Sequence, residues 1–436
     1  MKRNYILFLL LVLTSFNLSA ITYTSNQNGN WMNPLTWSPM GIPIPGDIVT
    51  INHRVTLDTS LAYITGSVTV NVAGSLVQDI SSRSIWLNGI NASFTNNGTT
   101  TVKNLLLTFG SFSNSGDFNV NVVANDITIG NTGNFNGVDS LLNNGTVNNN
   151  GTINVMTFLN SNTINNYDLI QGLTTIVDSI YNIGTFLNDA GSLLKADRCT
   201  NSGTFTNDGV VNFNLYTNTG VCNNNNYLSF ASITNTSGFT NTDSLVGTGS
   251  MTNTGNFDNQ NGAYMSLGVS FLNADPVNFD ALFNNDGAFD IGDSFYNFDT
   301  ITGGATGSFV VQDTSYNSDR MRGSFDFCDM TPPASSPFID INTGTVDVNI
   351  TYCVGLGVTS NLNDEKINVY PNPTNGYLNI VSNESIRAEV YNVLGEKIIS
   401  TKQSKINLST YPKGVYFIQL KNEEGQLIGQ EKIVKY

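Results

Sequence analysis

The chain has 436 residues, of which 65 are Asn and 40 are Gly, and only 12% are charged, about half the ~25% usual for a soluble domain. Eighteen basic against 33 acidic residues give a net charge of −15, which excludes a nucleic-acid binder needing a basic footprint and disfavours docking on anionic membranes. A single histidine, His53, rules out histidine-rich metal sites and most hydrolase triads.

Lys2 and Arg3 precede an apolar run from Tyr5 to Phe16 and a small-residue exit at Ser19-Ala20. This layout predicts a secretory signal peptide over residues 1–20. The run is shorter than the ~20 apolar residues of a membrane span, and no transmembrane segment is expected in the mature chain. Residues 21–93 are expected to form an N-terminal cap and the first coils of the next region. They carry Trp31-Met-Asn-Pro-Leu-Thr-Trp37, then Pro43-Ile-Pro45-Gly46-Asp47-Ile-Val-Thr-Ile51, then Val55-Thr-Leu57-Asp58. This phrase resembles the opening that precedes β-helices in many secreted bacterial proteins, a resemblance that bears on architecture and not on activity.

Residues 94–300 repeat the phrase apolar-Thr-Asn-x-Gly-x-apolar-x-Asn. Anchored on Asn96, Asn114, Asn131, Asn143, Asn160, Asn182, Asn201, Asn218, Asn235, Asn253 and Asn273, its steps average 17.7 residues, with one short step of 12 between Asn131 and Asn143. The position two before each anchor is apolar, Cys or Tyr throughout. The position four after it is large and apolar or Cys except at Thr100, and includes Phe205, Cys222 and Val277. A second Asn column runs six residues after the anchor, from Asn149 to Asn259. A unit this short cannot bury its apolar face alone, and stacking solves the problem. The prediction is all-β: a parallel β-solenoid, right-handed by the rule for parallel connections, with coils ~4.8 Å apart. Asn182, Asn201, Asn218, Asn235 and Asn253 are expected to form a ladder, since an amide can donate to and accept from its neighbours above and below.

Residues 301–360 are expected to close the solenoid. Cys328 and Cys353 flank the turn Thr331-Pro332-Pro333 and form a candidate disulfide, which an exported protein can keep. Cys199 and Cys222 fall in apolar columns and are expected as buried thiols.

The charge then changes character. Residues 21–360 hold 7 Lys/Arg, 25 Asp and no Glu, whereas residues 361–436 hold 9 Lys/Arg and 8 acids, seven of them Glu. Residues 361–365 read as a linker and residues 366–436 as a second module of about seven alternating strands broken by turn signals, a small Ig-like β-sandwich. Within it stand Tyr370-Pro371-Asn372-Pro373 with Gly376, then Val390-Tyr-Asn-Val-Leu-Gly395-Glu-Lys-Ile398, then Lys413-Gly414-Val-Tyr416-Phe417, and finally Lys432-Ile-Val-Lys435. These four blocks, in this order, resemble the type A C-terminal sorting domain of the type IX secretion system. The resemblance implies a protein of the Bacteroidota, recognition by that secretion machinery, export to the cell surface or beyond, and removal of the tail.

Enzymatic β-helices need paired carboxylates, or Asp-held calcium with a basic residue. Residues 94–279 offer only Lys103, Lys195 and Arg198 as bases, so no catalytic residue and no enzyme activity are expected. The acidic run Asp275, Asp280, Asp286, Asp290, Asp293 and Asp299 lacks EF-hand and nonapeptide spacing; solubilising acidity is the simpler reading, calcium the alternative, and no other cofactor is expected. The phrases Asp139-Ser-Leu, Asp178-Ser-Ile, Asp243-Ser-Leu and Asp299-Thr-Ile resemble O-glycosylation signals of the same phylum. Thr200-Asn-Ser202, Thr217-Asn-Thr219, Thr234-Asn-Thr236 and Thr252-Asn-Thr254 resemble the hydroxyl face of ice-binding solenoids. The expected function is a non-enzymatic surface or secreted solenoid acting as adhesin, stalk or envelope element, with surface glycan or lipopolysaccharide as a candidate partner. A carbohydrate-binding or -cleaving β-helix is the alternative, and an ice-binding solenoid the remote one.

Overall fold

In a computed structural model, the residues described are 20–171, 178–275, 277, 280–334, 336–353, 368–381, 386–392, 396–422 and 427–436. Residues 1–19 of the expected signal peptide and the expected linker lie outside them, as does Gly395. The chain divides into two compact units, Met1–Gly355 and Leu356–Tyr436.

The first unit is a parallel β-solenoid in which forty strands of the described residues join one hydrogen-bonded sheet. Each coil has three faces, carried by three short strands as in Gly238–Asn241, Ser244–Gly247 and Met251–Asn253, or with two faces joined in one longer strand as in Val210–Asn218. Each strand pairs in register with its counterpart one coil on: Phe239 with Phe257, Leu245 with Met265, Met251 with Phe271. The alternation of strand side chains leaves one inward apolar residue per strand and turns the next outward, and the inward set forms one continuous core. Phe239, Phe257 and Phe283 stack with centroids 4.6 and 5.0 Å apart.

Two strand ends in each coil carry an inward Asn, and these form two ladders. One runs through eleven asparagines from Asn96 to Asn285, the other through twelve from Asn125 to Asn342. Every Nδ2 donates to the Oδ1 of the next coil at 2.7–2.9 Å. Asn182, Asn201, Asn218, Asn235 and Asn253 all lie in the second ladder. Most amides also donate to two corner carbonyls: Asn201 Nδ2 reaches Gly203 O at 3.3 Å and Val221 O at 2.9 Å. Gly203 O also accepts the backbone N–H of Val221 at 2.8 Å, so the amides add a second donor at the corners and their own buried polar atoms are paired inside the core.

The ladders correct the repeat register. Asn131 stacks on Asn149 and Asn125 on Asn143, each 18 residues away. The apparent 12-residue step is therefore a slide from one face to the next, because two faces of the coil spell nearly the same phrase. Asn96, Asn114 and Asn131 belong to the ladder of the second Asn column, not to that of Asn143 and its successors. Thr100 falls in a different column, over Leu76 and under Phe118. It is fully buried and donates to Asn96 Oδ1 at 2.8 Å, completing the first rung. Val277, expected inward, is 77% exposed, and Phe283 packs on Phe257 instead.

Coils extend beyond the 94–300 span at both ends. Parallel pairing begins with Thr22–Ser25 on Ile48–Ile51, and the capping element is the excursion between them. There Trp31 and Trp37 are buried edge to face at 5.1 Å, and their indole N–H groups donate to Pro43 O and Trp31 O. His53 lies against Ser25, with Nδ1 2.8 Å from its carbonyl. In residues 301–353 the coils continue through Ser308–Val311, Arg320–Gly323 and Thr345–Val346. A Cys328–Cys353 disulfide and the Phe338–Tyr352 contact fold the last segment over the end. Cys199 and Cys222 are free and buried beside Tyr216; burial raises both thiols, Cys222 to about 12.

Phe205→Asp is expected to unfold the solenoid where Thr219→Ala leaves it intact. Phe205 is fully buried between Phe186 and Cys222, and an unpaired carboxylate there costs several kcal/mol. Thr219 sits exposed on a corner, where substitutions stay within about 0.5 kcal/mol. Melting temperatures of the two variants check the inward and outward assignments.

The second unit has seven strands among its described residues, in two antiparallel sheets. One joins Asn368–Tyr370, Tyr377–Val381 and Lys405–Asn407; the other joins Lys397–Thr401, Arg387–Asn392, Gly414–Lys421 and Leu427–Lys435. They enclose one core containing Leu378, Val390, Leu408, Ile418 and Ile433.

Candidate functional site

In the second unit the sequence blocks from its two ends meet. Asn372, in the Pro-Asn-Pro turn, donates through Nδ2 to Lys432 O at 2.6 Å and accepts Val434 N–H at 2.9 Å through Oδ1. Thr374 N–H donates to Val434 O, and Tyr436 N–H donates to Thr374 O. The opening turn is thereby locked along the last strand. Gly376 has φ +127 and lies so close to Ser409 that a Cβ would approach its Cα to 2.9 Å, so glycine alone fits. Tyr416 OH donates to Pro412 O at 2.6 Å, the reach-back hydrogen bond of a tyrosine corner in Ig-like sandwiches. Asn392, Ile398, Tyr411, Lys413, Gly414 and Tyr416 line a cavity of about 290 Å³, bringing the second and third blocks together. Tyr370 and Lys432 remain exposed.

One charged cluster escaped the sequence reading. Ala388 and Val390 enter the core, so Glu389 between them faces the other side of its sheet. There Lys421, Lys397 and Tyr391 donate to it at 2.7, 2.9 and 2.8 Å, and it is 5% exposed. These donors, Lys421 foremost, hold its carboxyl down to about 2 from the ordinary 4.5. Sequence separation hid the pair: Lys421 is 32 residues from Glu389 and meets it only across paired strands. A lowered acid pKa adds stability above the unfolded value and loses it as pH falls toward the folded one. The domain is thus expected to lose stability between pH ~4.5 and ~2, and Glu389→Gln to remove this part of the acid sensitivity, as read by melting temperature against pH.

On the solenoid, charged side chains are dispersed. Asp290 accepts from Tyr264 OH at 2.9 Å, Asp286 caps Gly304 N–H, and Asp299 accepts Ala281 N–H at 2.9 Å and Thr300 N–H at 3.0 Å. Asp280 shares a hydrogen bond with Asp275, which raises its pKa. Among the described residues no three His, Cys, Asp or Glu side chains converge as a metal would require. Arg198 lies 3.6 Å from Asp197, whose carboxylate also accepts from Asn214. A cavity of about 680 Å³ opens beside Gly110, whose φ is +101. Asp126 is its only carboxylate, among Ser111, Thr128, Asn144, Thr146 and Asn162.

The hydroxyl array separates into two surfaces. Thr200, Thr217, Thr234 and Thr252 stack in register on a strand face. Their partners stand on the corner, where Ser202, Thr219, Thr236 and Thr254 donate to the Asn carbonyls of the preceding coil at 3.3–3.4 Å. Of the four phrases resembling glycosylation signals, Ser244 is buried and donates to Asp243, whereas Ser140, Ser179 and Thr300 are half-buried on outward columns.

No helix of the described residues is long and apolar enough to cross a membrane. No curated protein matches the chain. Residues 368–435 match the family model of the secretion system C-terminal sorting domain. Four sequence blocks tied together in one small sandwich, matched along nearly its whole length, make the tail a type IX secretion system C-terminal sorting domain and the protein a β-solenoid which that machinery exports to the cell surface or the extracellular space.

Proposed function

We propose that the solenoid is a non-enzymatic surface element, an adhesin or stalk whose regular polar faces contact surface glycan or lipopolysaccharide. The supporting observation is the outward amide ladder. Asn154 donates to Asn136 and Gln171 donates to Asn154, both at 2.9 Å, while Asn165 donates to Asn148 at 2.8 Å on the next face. Such columns repeat donors and acceptors every ~4.8 Å, and a chain of hydroxyl groups can follow them.

Cleavage would require two carboxylates flanking the scissile bond. Asp126 is the one carboxylate lining the 680 Å³ cavity, which favours holding over cutting. The secreted protein, applied to a glycan array and incubated with the polysaccharides it retains, is expected to bind without releasing new reducing ends. Release of reducing ends would replace this reading with an enzymatic one, and its loss in Asp126→Asn would place the chemistry in this cavity.

A further inference from the structure

We propose that one face of the solenoid is a self-association surface, on which two copies of this chain pack antiparallel across a two-fold axis. The proposal goes beyond the adhesive role and stands on a different set of residues.

The three faces differ in what they turn outward. One presents Thr128, Thr146, Thr163 and Thr185 in register; another presents Asn136, Asn154 and Gln171. The third presents, on six successive coils, Trp86, Leu106, Ala124, Leu142, Leu159 and Tyr181. Trp86 and Leu142 are 38% exposed and Tyr181 is 42% exposed. The neighbouring column is Ser84, Asn104, Val122, Ser140, Thr157 and Ser179, so neither column carries a charge over these coils. Ile90 and Ile183 project from corners at either end of the stripe, 82% and 64% exposed. Solvated sheet faces ordinarily alternate apolar-in with polar-out, and an apolar outward column with no charge marks an interaction surface.

The order of the stripe selects the partner. An isologous interface requires a patch complementary to itself after a half-turn. A two-fold axis across the face, midway between the coils of Ala124 and Leu142, sets Trp86 against Tyr181 of a second copy. It sets Leu106 against Leu159, and Ala124 against Leu142. Aromatic meets aromatic, leucine meets leucine, and the smallest residue faces a larger one. The same operation brings Ile90 opposite Ile183. Both copies share one coil spacing, so contacts stay in step along the whole stripe. The six coils span ~24 Å between end residues. With the flanking column and corners, the two copies together bury roughly 1,000 Å², the lower bound for a specific interface. The dimer should accordingly be weak and concentration-dependent.

The mature secreted protein is therefore expected to shift from monomer to dimer mass with rising concentration in sedimentation equilibrium. Leu142→Lys should remain monomeric with an unchanged melting temperature, since the side chain points outward. Orientation is read by cross-linking with a thiol-reactive reagent whose spacer bridges sheets ~10 Å apart but is shorter than ~14 Å. The double variant L106C/L159C should give a covalent dimer, while L106C and L159C alone should not. Within one chain these positions are three coils, ~14 Å, apart, beyond the reach of such a spacer. A protein that stays monomeric, or a Leu142→Lys variant that still dimerises, would overturn the proposal. Cross-linking by L106C alone would replace the antiparallel arrangement with a parallel one.

Discussion

Asn201→Ala is expected to destabilise the solenoid by ~3–5 kcal/mol, although the substitution removes only an amide. Asn201 is fully buried. Its Nδ2 donates to Asn218 Oδ1, Gly203 O and Val221 O, and its Oδ1 accepts from Asn182 Nδ2 at 2.7 Å. Alanine removes the donor to Asn218 Oδ1 and the acceptor of one Asn182 N–H in a space that water does not reach, at about 1–3 kcal/mol for a buried group left unsatisfied, and leaves a hole in the stacked column besides. A solenoid contacts itself only between neighbouring coils, so the loss concentrates on one junction. Unfolding should split into two transitions, with the coils on either side melting separately. Asn214→Ala, one coil on, is the control: its amide is exposed and bonds only Asp197, and its effect should stay within about 0.5 kcal/mol. Denaturant titration followed by circular dichroism distinguishes the two. Equal stability of both variants would mean that the ladder contributes no more than surface amides do.

The same residues explain how far the fold could be read. Stacking was legible because inward columns must be apolar and corner amides must repeat, and both requirements are written in residue type. Register was not. Phe205-Thr206-Asn207 on one face and Cys199-Thr200-Asn201 on another satisfy the same rule, so nothing in the phrase distinguishes Asn131 from Asn143. Only cross-coil hydrogen bonds separate the two ladders. First coils were expected within residues 21–93, but where they begin was not marked. Before Asn96 the ladder position is Val70, and before Asn125 it is Leu107, so the coils continue after the marker residue has stopped. In the tail, the turn around Asn372 and the strand ending at Lys435 were each legible. Their contact was not, because it spans 60 residues. The Glu389 cluster failed for the same reason.

Export should depend on the tail and not on the solenoid. Residues 94–279 carry almost no basic charge and spell one phrase repeatedly, so a transport machine would find nothing distinctive on them. The tail has its own core, with Leu378, Val390, Leu408, Ile418 and Ile433 buried away from the solenoid's cluster. It can thus fold by itself in the periplasm, as a module with an independent core can. A protein truncated at Ser360 is expected to cross the inner membrane if residues 1–20 act as the expected signal peptide, and then to accumulate in the periplasm, with surface display reduced to background. In the converse experiment, residues 361–436 placed behind a signal peptide and a foreign passenger should carry that passenger to the surface. Asn372→Ala refines the test. It removes the two hydrogen bonds that hold the opening turn to the last strand, so export should fall while the Val390–Ile418 core persists. Surface labelling of intact cells, compared with periplasmic extracts, reads all three. Truncated protein labelled at wild-type levels would place the sorting signal in the solenoid after all.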